Sequence, residues 1–170
     1  MPEDLDAWEQ RTGVQVQPGD VLLVRTGRWG REQQLGSWNV REERAGLHAS
    51  AAKWLRVRDV AALGCDGTND VAPSGMEGFR SPIHFLALVG LGMPLFDNID
   101  LEALAREAVT RNRWEFLFIA APLRIPGGTG SPLNPIAIFL CLSFTKLKSL
   151  HCSSLPYNQN IMEKSIDALN

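Results

Sequence analysis

Several things are scarce in this 170-residue chain, and each scarcity excludes a class of protein. It has one tyrosine, three histidines and three cysteines. Cys65, Cys141 and Cys152 show no CxxC spacing and no even framework, so neither a zinc ribbon nor a disulfide-stapled secreted domain is indicated, and a reducing, cytoplasmic setting is expected. No apolar run approaches the roughly 20 residues that span a bilayer, which argues against a membrane protein. The first ten residues, MPEDLDAWEQ, are acidic and amphipathic, unlike a signal or transit peptide. Basic excess is missing too: the formal net charge is -2 and the pI about 5.9, so no nucleic-acid partner is expected. HExxH and GxSxG do not occur, and no internal repeat is present.

What is present suits one globular core: 45% hydrophobic and 21% charged residues. Pro2–Arg11 reads as a short helix with Leu5 and Trp8 on one face and Gly13 as its stop. Gln17-Pro18-Gly19-Asp20 is a turn tetrapeptide. Four apolar runs read as core strands: Val21–Val24, Val60–Gly64, Met93–Phe96 and Trp114–Leu123. Helical spacing separates them at Ala49–Arg58, from Pro82 to about Val89 (ended by Gly90 and Gly92), and at Leu101–Thr110 with Asp100 as its cap. This alternation predicts an α/β layered fold. Arg28–Arg44 is polar and reads as a long loop carrying Trp29 and Trp38. With Phe79, these tryptophans suit an aromatic-friendly pocket as well as plain core.

The glycine loop Gly127–Gly130 invites comparison with a phosphate cradle, with Arg124 beside it. Such cradles open directly into a helix, and Pro132 and Pro135 stand where that helix would run. A strand–loop–strand connection into Ile136–Phe139 fits better. Composition changes after Phe139. All fifteen glycines and thirteen arginines lie at or before Gly130, whereas three of four lysines fall in 140–170. The chain thus divides into 1–139 and a tail, 140–170, of unrelated composition, expected to be disordered or a junction artefact and to pack poorly beyond its first few residues.

Candidate chemical groups are few. His84 lies near a helix start between Ile83 and Phe85, a setting in which a lone histidine serves either as packing or as a site. Asp97 ends a strand, and Asp66 and Asp70 follow one; turn chemistry accounts for all three. Cys65 follows an apolar strand with no basic neighbour and reads as an inert buried thiol.

Taken in order, six stretches resemble the cyclase family of metal-dependent hydrolases, which includes kynurenine formamidases and isatin hydrolases. They are PGDVLLVRTGRW (Pro18–Trp29), AGLHASAAKWL (Ala45–Leu55), VAALGCDGTNDV (Val60–Val71), PIHFLAL (Pro82–Leu88), GMPLFDNIDLEALA (Gly92–Ala105) and WEFLFIAAPLRIPGGTGSPLNPIAIF (Trp114–Phe139). The resemblance implies a swivelling β/β/α domain, incomplete at its N-terminus, because the family's HxGTHxDxPxH metal motif is absent and the chain begins downstream of it. It implies hydrolysis of amide-type bonds in a small-molecule substrate, as in N-formylkynurenine to kynurenine within tryptophan catabolism, with zinc or manganese and in a homo-oligomer. His84 in PIHFLAL matches a histidine of the catalytic and metal centre. Asp97 in FDN matches a position often held by a glutamate ligand, one methylene longer. Two such residues supply at most two of the roughly three ligands a catalytic metal needs. The expectation is therefore a chain that binds metal weakly and does not turn over alone. The alternative is a non-catalytic chain that keeps the fold for binding or oligomerisation.

Overall fold

The computed structural model describes residues 1–140 and the backbone of 163–167. Six strands form one sheet in the order β3-β2-β1-β6-β4-β5. They are β1 (Val21–Arg25), β2 (Ala62–Cys65), β3 (Leu95–Phe96), β4 (Glu115–Ile119), β5 (Ile136–Ile138) and β6 (Glu163–Asp167). β3, β2, β1 and β6 run parallel, and β4 pairs antiparallel with both β6 and β5.

The run VLLV in β1 has no polar position because both sheet faces are covered. Side chains alternate between the faces. Leu22 and Val24 join a core with Leu5 and Trp8 of α1 (Pro2–Thr12), and with Trp54 and Leu55 of α3 (Ala51–Val57). Val21 and Leu23 join a second core with Ala62, Leu101, Phe116 and Phe118. Leu104 of α5 (Glu102–Arg111) packs against that second core. Mixed α/β layering is thus observed, with helices on both faces of a largely parallel sheet.

The expected strands all appear with trimmed or shifted bounds. β4 stops at Ile119 because β5 pairs only with Leu117–Ile119, and the chain beyond runs exposed through the glycine loop. That loop is a connection: no helix follows Gly130, and Arg124 is exposed. Asp100 accepts the Glu102 N–H at 3.0 Å, as a cap does, although the helix starts one residue later than expected. Pro82–Phe85 forms α4 and continues as a π-helical turn, Leu86–Leu91, closed by Gly92 at φ 63°.

Two expectations need correction. The Arg28–Arg44 loop contains a helix, α2 (Arg28–Leu35). It buries no residue, so no apolar stripe betrays it, and its start is held from elsewhere in the fold. The tail, in turn, contributes β6 to the sheet between β1 and β4, at odds with a tail that packs poorly. The open edge of a strand is a row of backbone donors and acceptors, and pairing there needs no particular side chains. The rest of the expectation for 140–170 lies outside the described residues. Among the described residues, no helix is long and apolar enough to cross a membrane.

Candidate active site

The carboxyl ends of β1, β2 and β3 converge on one polar cluster, the usual ligand side of a parallel sheet. After β2 the chain forms Asp66–Asp70, and Asp66, Asn69 and Asp70 are all fully buried. Buried carboxylates at a strand end need donors, and each finds a different set.

Asp66 organises the turn after β1. Its Oδ1 accepts the Thr26 N–H at 2.8 Å and the Thr26 hydroxyl at 2.7 Å. Its Oδ2 accepts the Gly27 and Arg28 N–H groups at 2.8 and 3.0 Å. Gly27 sits at φ 81°, a left-handed conformation that glycine adopts without strain. Asp66 thereby caps α2 from 38 or more residues away, as a helix start requires of some acceptor.

Asp70 does the same for α4. Pro82 opens that helix without an N–H to satisfy. The next two donors go to Asp70: Ile83 N–H to Oδ1 at 2.6 Å and His84 N–H to Oδ2 at 3.3 Å. The His84 ring then closes on the same carboxylate, Nδ1 to Oδ2 at 2.5 Å. Its other nitrogen, Nε2, lies 2.9 Å from Asp97 Oδ2, at the end of β3. Asn69 fixes Asp97 in turn, donating from Nδ2 to Asp97 Oδ1 at 2.7 Å and to the Phe96 carbonyl at 3.0 Å.

The structure thus brings His84 and Asp97 into direct contact and adds Asp70 and Asn69, which sequence reading gave only turn roles or passed over. The signal available was the polar run GCDGTND at the end of an apolar strand. Carboxylates only accept, so bonds from both ring nitrogens require the imidazolium. The bonds to Asp70 and then Asp97 accordingly raise the His84 pKa from its ordinary value near 6.5 to about 9, against a smaller opposing effect of burial. Cys65 is a buried thiol pushed up to about 12 by desolvation and by neighbouring Asp66, which makes it inert as a nucleophile.

Gly46 sets the distance between this cluster and the neighbouring chain. A Cβ there would lie 2.4 Å from the Asp70 carbonyl carbon and 2.7 Å from the Val71 nitrogen, both backbone. Gly46→Ala is expected to destabilise the protein by about 2 kcal/mol through this overpacking. Urea unfolding of the two proteins checks it, and an unchanged midpoint would refute the contact.

A zinc or manganese ion does not fit the donor set described. Both His84 nitrogens are engaged by carboxylates, Nδ1 by Asp70 and Nε2 by Asp97. Among the described residues, no three His, Cys, Asp or Glu side chains form a group that could hold one.

Beside the cluster opens a cavity of about 510 Å³, bounded by the Thr26–Arg31 turn, the Trp38–Ala45 segment, Gly67, Thr68 and Asn98. Of the aromatic candidates, Trp38 lines it. Trp29 instead donates to the Ile99 carbonyl at 3.0 Å, and Phe79 pairs with Phe85.

A family model described as "Putative cyclase" matches residues 1–69 of the 170, a segment that ends in this polar cluster. A crystal structure described as that of a novel cyclase superposes with a TM-score of 0.69 at 29% identity, over 81% of this chain. The chain is similar to proteins of the cyclase family. It spans 46% of the length of that neighbouring cyclase. Curated proteins yielded no match. His84 and Asp97 lie beyond the segment matched by the family model.

Proposed function

We propose that this chain carries the proton-transfer part of a metal-dependent hydrolase of amide-type bonds, built on a swivelling β/β/α domain. The reaction would be arylformamidase-like, N-formylkynurenine to kynurenine, or the opening of a cyclic amide. The observation that carries this reading is the Asp70–His84–Asp97 relay at the carboxyl end of the sheet. Asp70 is buried and holds Nδ1, so Nε2 is the ring atom left to move a proton at the surface-facing side. A protonated Nε2 supports donation to a leaving nitrogen, with Asp97, steered by Asn69, orienting the ring. Zinc or manganese in such hydrolases makes a nucleophile of water near neutral pH. The residues described here do not assemble that ligand set, so no turnover is expected from this chain alone.

The test is hydrolysis of N-formylkynurenine and of a cyclic amide, with added zinc or manganese. It compares the 170-residue chain with the same chain joined to a segment bearing HxGTHxDxPxH. Activity is expected only in the joined protein, and His84→Ala there should lower kcat by about 100-fold or more, the scale of a lost general acid. Turnover by the short chain itself, or none by the joined one, would overturn the reading.

A second reading, a chain used for binding or self-association, is favoured by one observation. Phe85, at the end of the helix that carries His84, and Leu88 and Val89, on the π-helical turn that follows it, are exposed at 55%, 51% and 70%. Size-exclusion chromatography over a concentration series decides whether the chain self-associates.

A further inference from the structure

We infer that Arg28 and Arg31 form a carboxylate-binding subsite in the cavity bordered by Gly67, Thr68 and Asn98, for a small organic acid with a flat apolar body. This goes beyond the hydrolase reading and does not depend on turnover. The cavity lining holds four arginines, Arg28, Arg31, Arg41 and Arg44, against one acidic residue, Glu43. The nearest buried carboxylate does not neutralise them, because Asp66 spends its oxygens on the backbone and hydroxyl donors of Thr26–Arg28. Arg44 is committed as well: Nε donates to the Asp70 carbonyl at 2.8 Å and Nη1 to the Val40 carbonyl at 2.9 Å.

Arg28 and Arg31 are different. Arg28 Nε and Arg31 Nη1 are buried and have no hydrogen-bond partner, and the Thr68 hydroxyl is in the same state. An unmet guanidinium N–H away from water costs free energy, and three such groups around one cavity imply an acceptor that arrives from outside. The guanidinium fork matches the two oxygens of a carboxylate.

The rest of the lining argues for an organic acid over an inorganic ion. About 510 Å³ is the size of a small-molecule site and far exceeds what one phosphate fills. Trp38 forms a wall whose indole is fixed by its N–H bond to the Glu43 carbonyl at 2.7 Å. Arg31 lies over that ring, 3.8 Å from its centroid, so aromatic face and charge are presented together. Arg28 is held at its other end by Asn98, next to Asp97.

Calorimetric titration of the full chain with benzoate, benzamide and inorganic phosphate tests the subsite. Benzoate is expected to bind about tenfold or more tighter than benzamide, and tighter than phosphate, since a charge-assisted pair is at stake. Arg31→Gln should weaken benzoate about tenfold and leave benzamide unchanged. Arg31→Lys, which keeps the charge but loses the fork, should fall between them. Arg28→Gln is the second variant should Arg31→Gln not fold. His84→Ala should leave benzoate affinity within about twofold, so a failure of the hydrolase reading leaves this result intact. Equal binding of benzoate and benzamide, phosphate binding tighter than benzoate, or wild-type benzoate affinity in a folded arginine variant would overturn the inference.

Discussion

Asp66→Asn is expected to lower the unfolding free energy by about 3 kcal/mol and the thermal midpoint by roughly 6–12 °C. The Asp66 side chain is fully buried and receives four donors from three consecutive residues, Thr26, Gly27 and Arg28. Asparagine keeps the shape and one acceptor oxygen. Its amide replaces the second oxygen with a donor aimed at donors, so up to two buried N–H groups lose their partner. Each unmet group costs about 1–3 kcal/mol, and the losses do not simply add within one network. Asp66→Ala, which strands all four donors, should cost about 4 kcal/mol, near the upper end for a single substitution. Asp100→Asn serves as the control. Asp100 caps Glu102 at the surface, asparagine caps nearly as well, and the change should stay within about 0.5 kcal/mol. A loss below about 1 kcal/mol in Asp66→Asn would show that water replaces the carboxylate and that the turn is not built on it. The same variant should also weaken benzoate, because Arg28 and Arg31 ride on the helix that Asp66 caps.

His84→Ala is expected to cost about 3 kcal/mol at pH 6, and about 1–2 kcal/mol of that cost should fade by about pH 9.5. The imidazolium is the charge partner of the fully buried Asp70 carboxylate, and removing it leaves a buried charge facing only two backbone N–H groups. The pH dependence follows from proton binding. The folded protein holds the His84 proton up to about pH 9, whereas the unfolded chain releases it near 6.5. Below about 6.5 both states are protonated, and the stabilisation is present in full. As pH rises from there toward 9 the unfolded state gains by losing its proton first, and stability declines. Above 9 the contribution is gone. A shift of this size corresponds to about 3 kcal/mol at full transmission. The ring is 28% exposed, and solvent screening reduces the titrating part to about 1–2 kcal/mol. Urea unfolding of the wild type between pH 6 and 9.5, beside His84→Gln, is the measurement. The wild-type curve should fall relative to the variant's; parallel curves would show that His84 is neutral in the fold.

The amino-acid sequence by itself determined where the four core strands lie, because a buried two-faced sheet needs continuous apolar runs and none of their neighbours imitates one. Val21–Val24, the turn at Pro18-Gly19, the helix from Pro82 and the cyclase resemblance all follow from local residue order. So does the inert Cys65, which closes an apolar strand without a basic neighbour. The relation of His84 to Asp97 was available only through that resemblance, since thirteen residues of unremarkable spacing separate them. Tertiary structure decided the rest. Arg28–Leu35 is a helix because Asp66 satisfies its first donors from another strand, and no sequence window contains both. β6 enters the sheet through backbone pairing, which side-chain patterns do not record. Asp70 changes from a turn residue into the partner of His84 only when the end of β2 meets the start of α4. The charge state of the histidine and the unpaired guanidinium atoms of the cavity are likewise properties of juxtaposition. They arise from distances of 2.5–3 Å between residues that the chain itself keeps far apart.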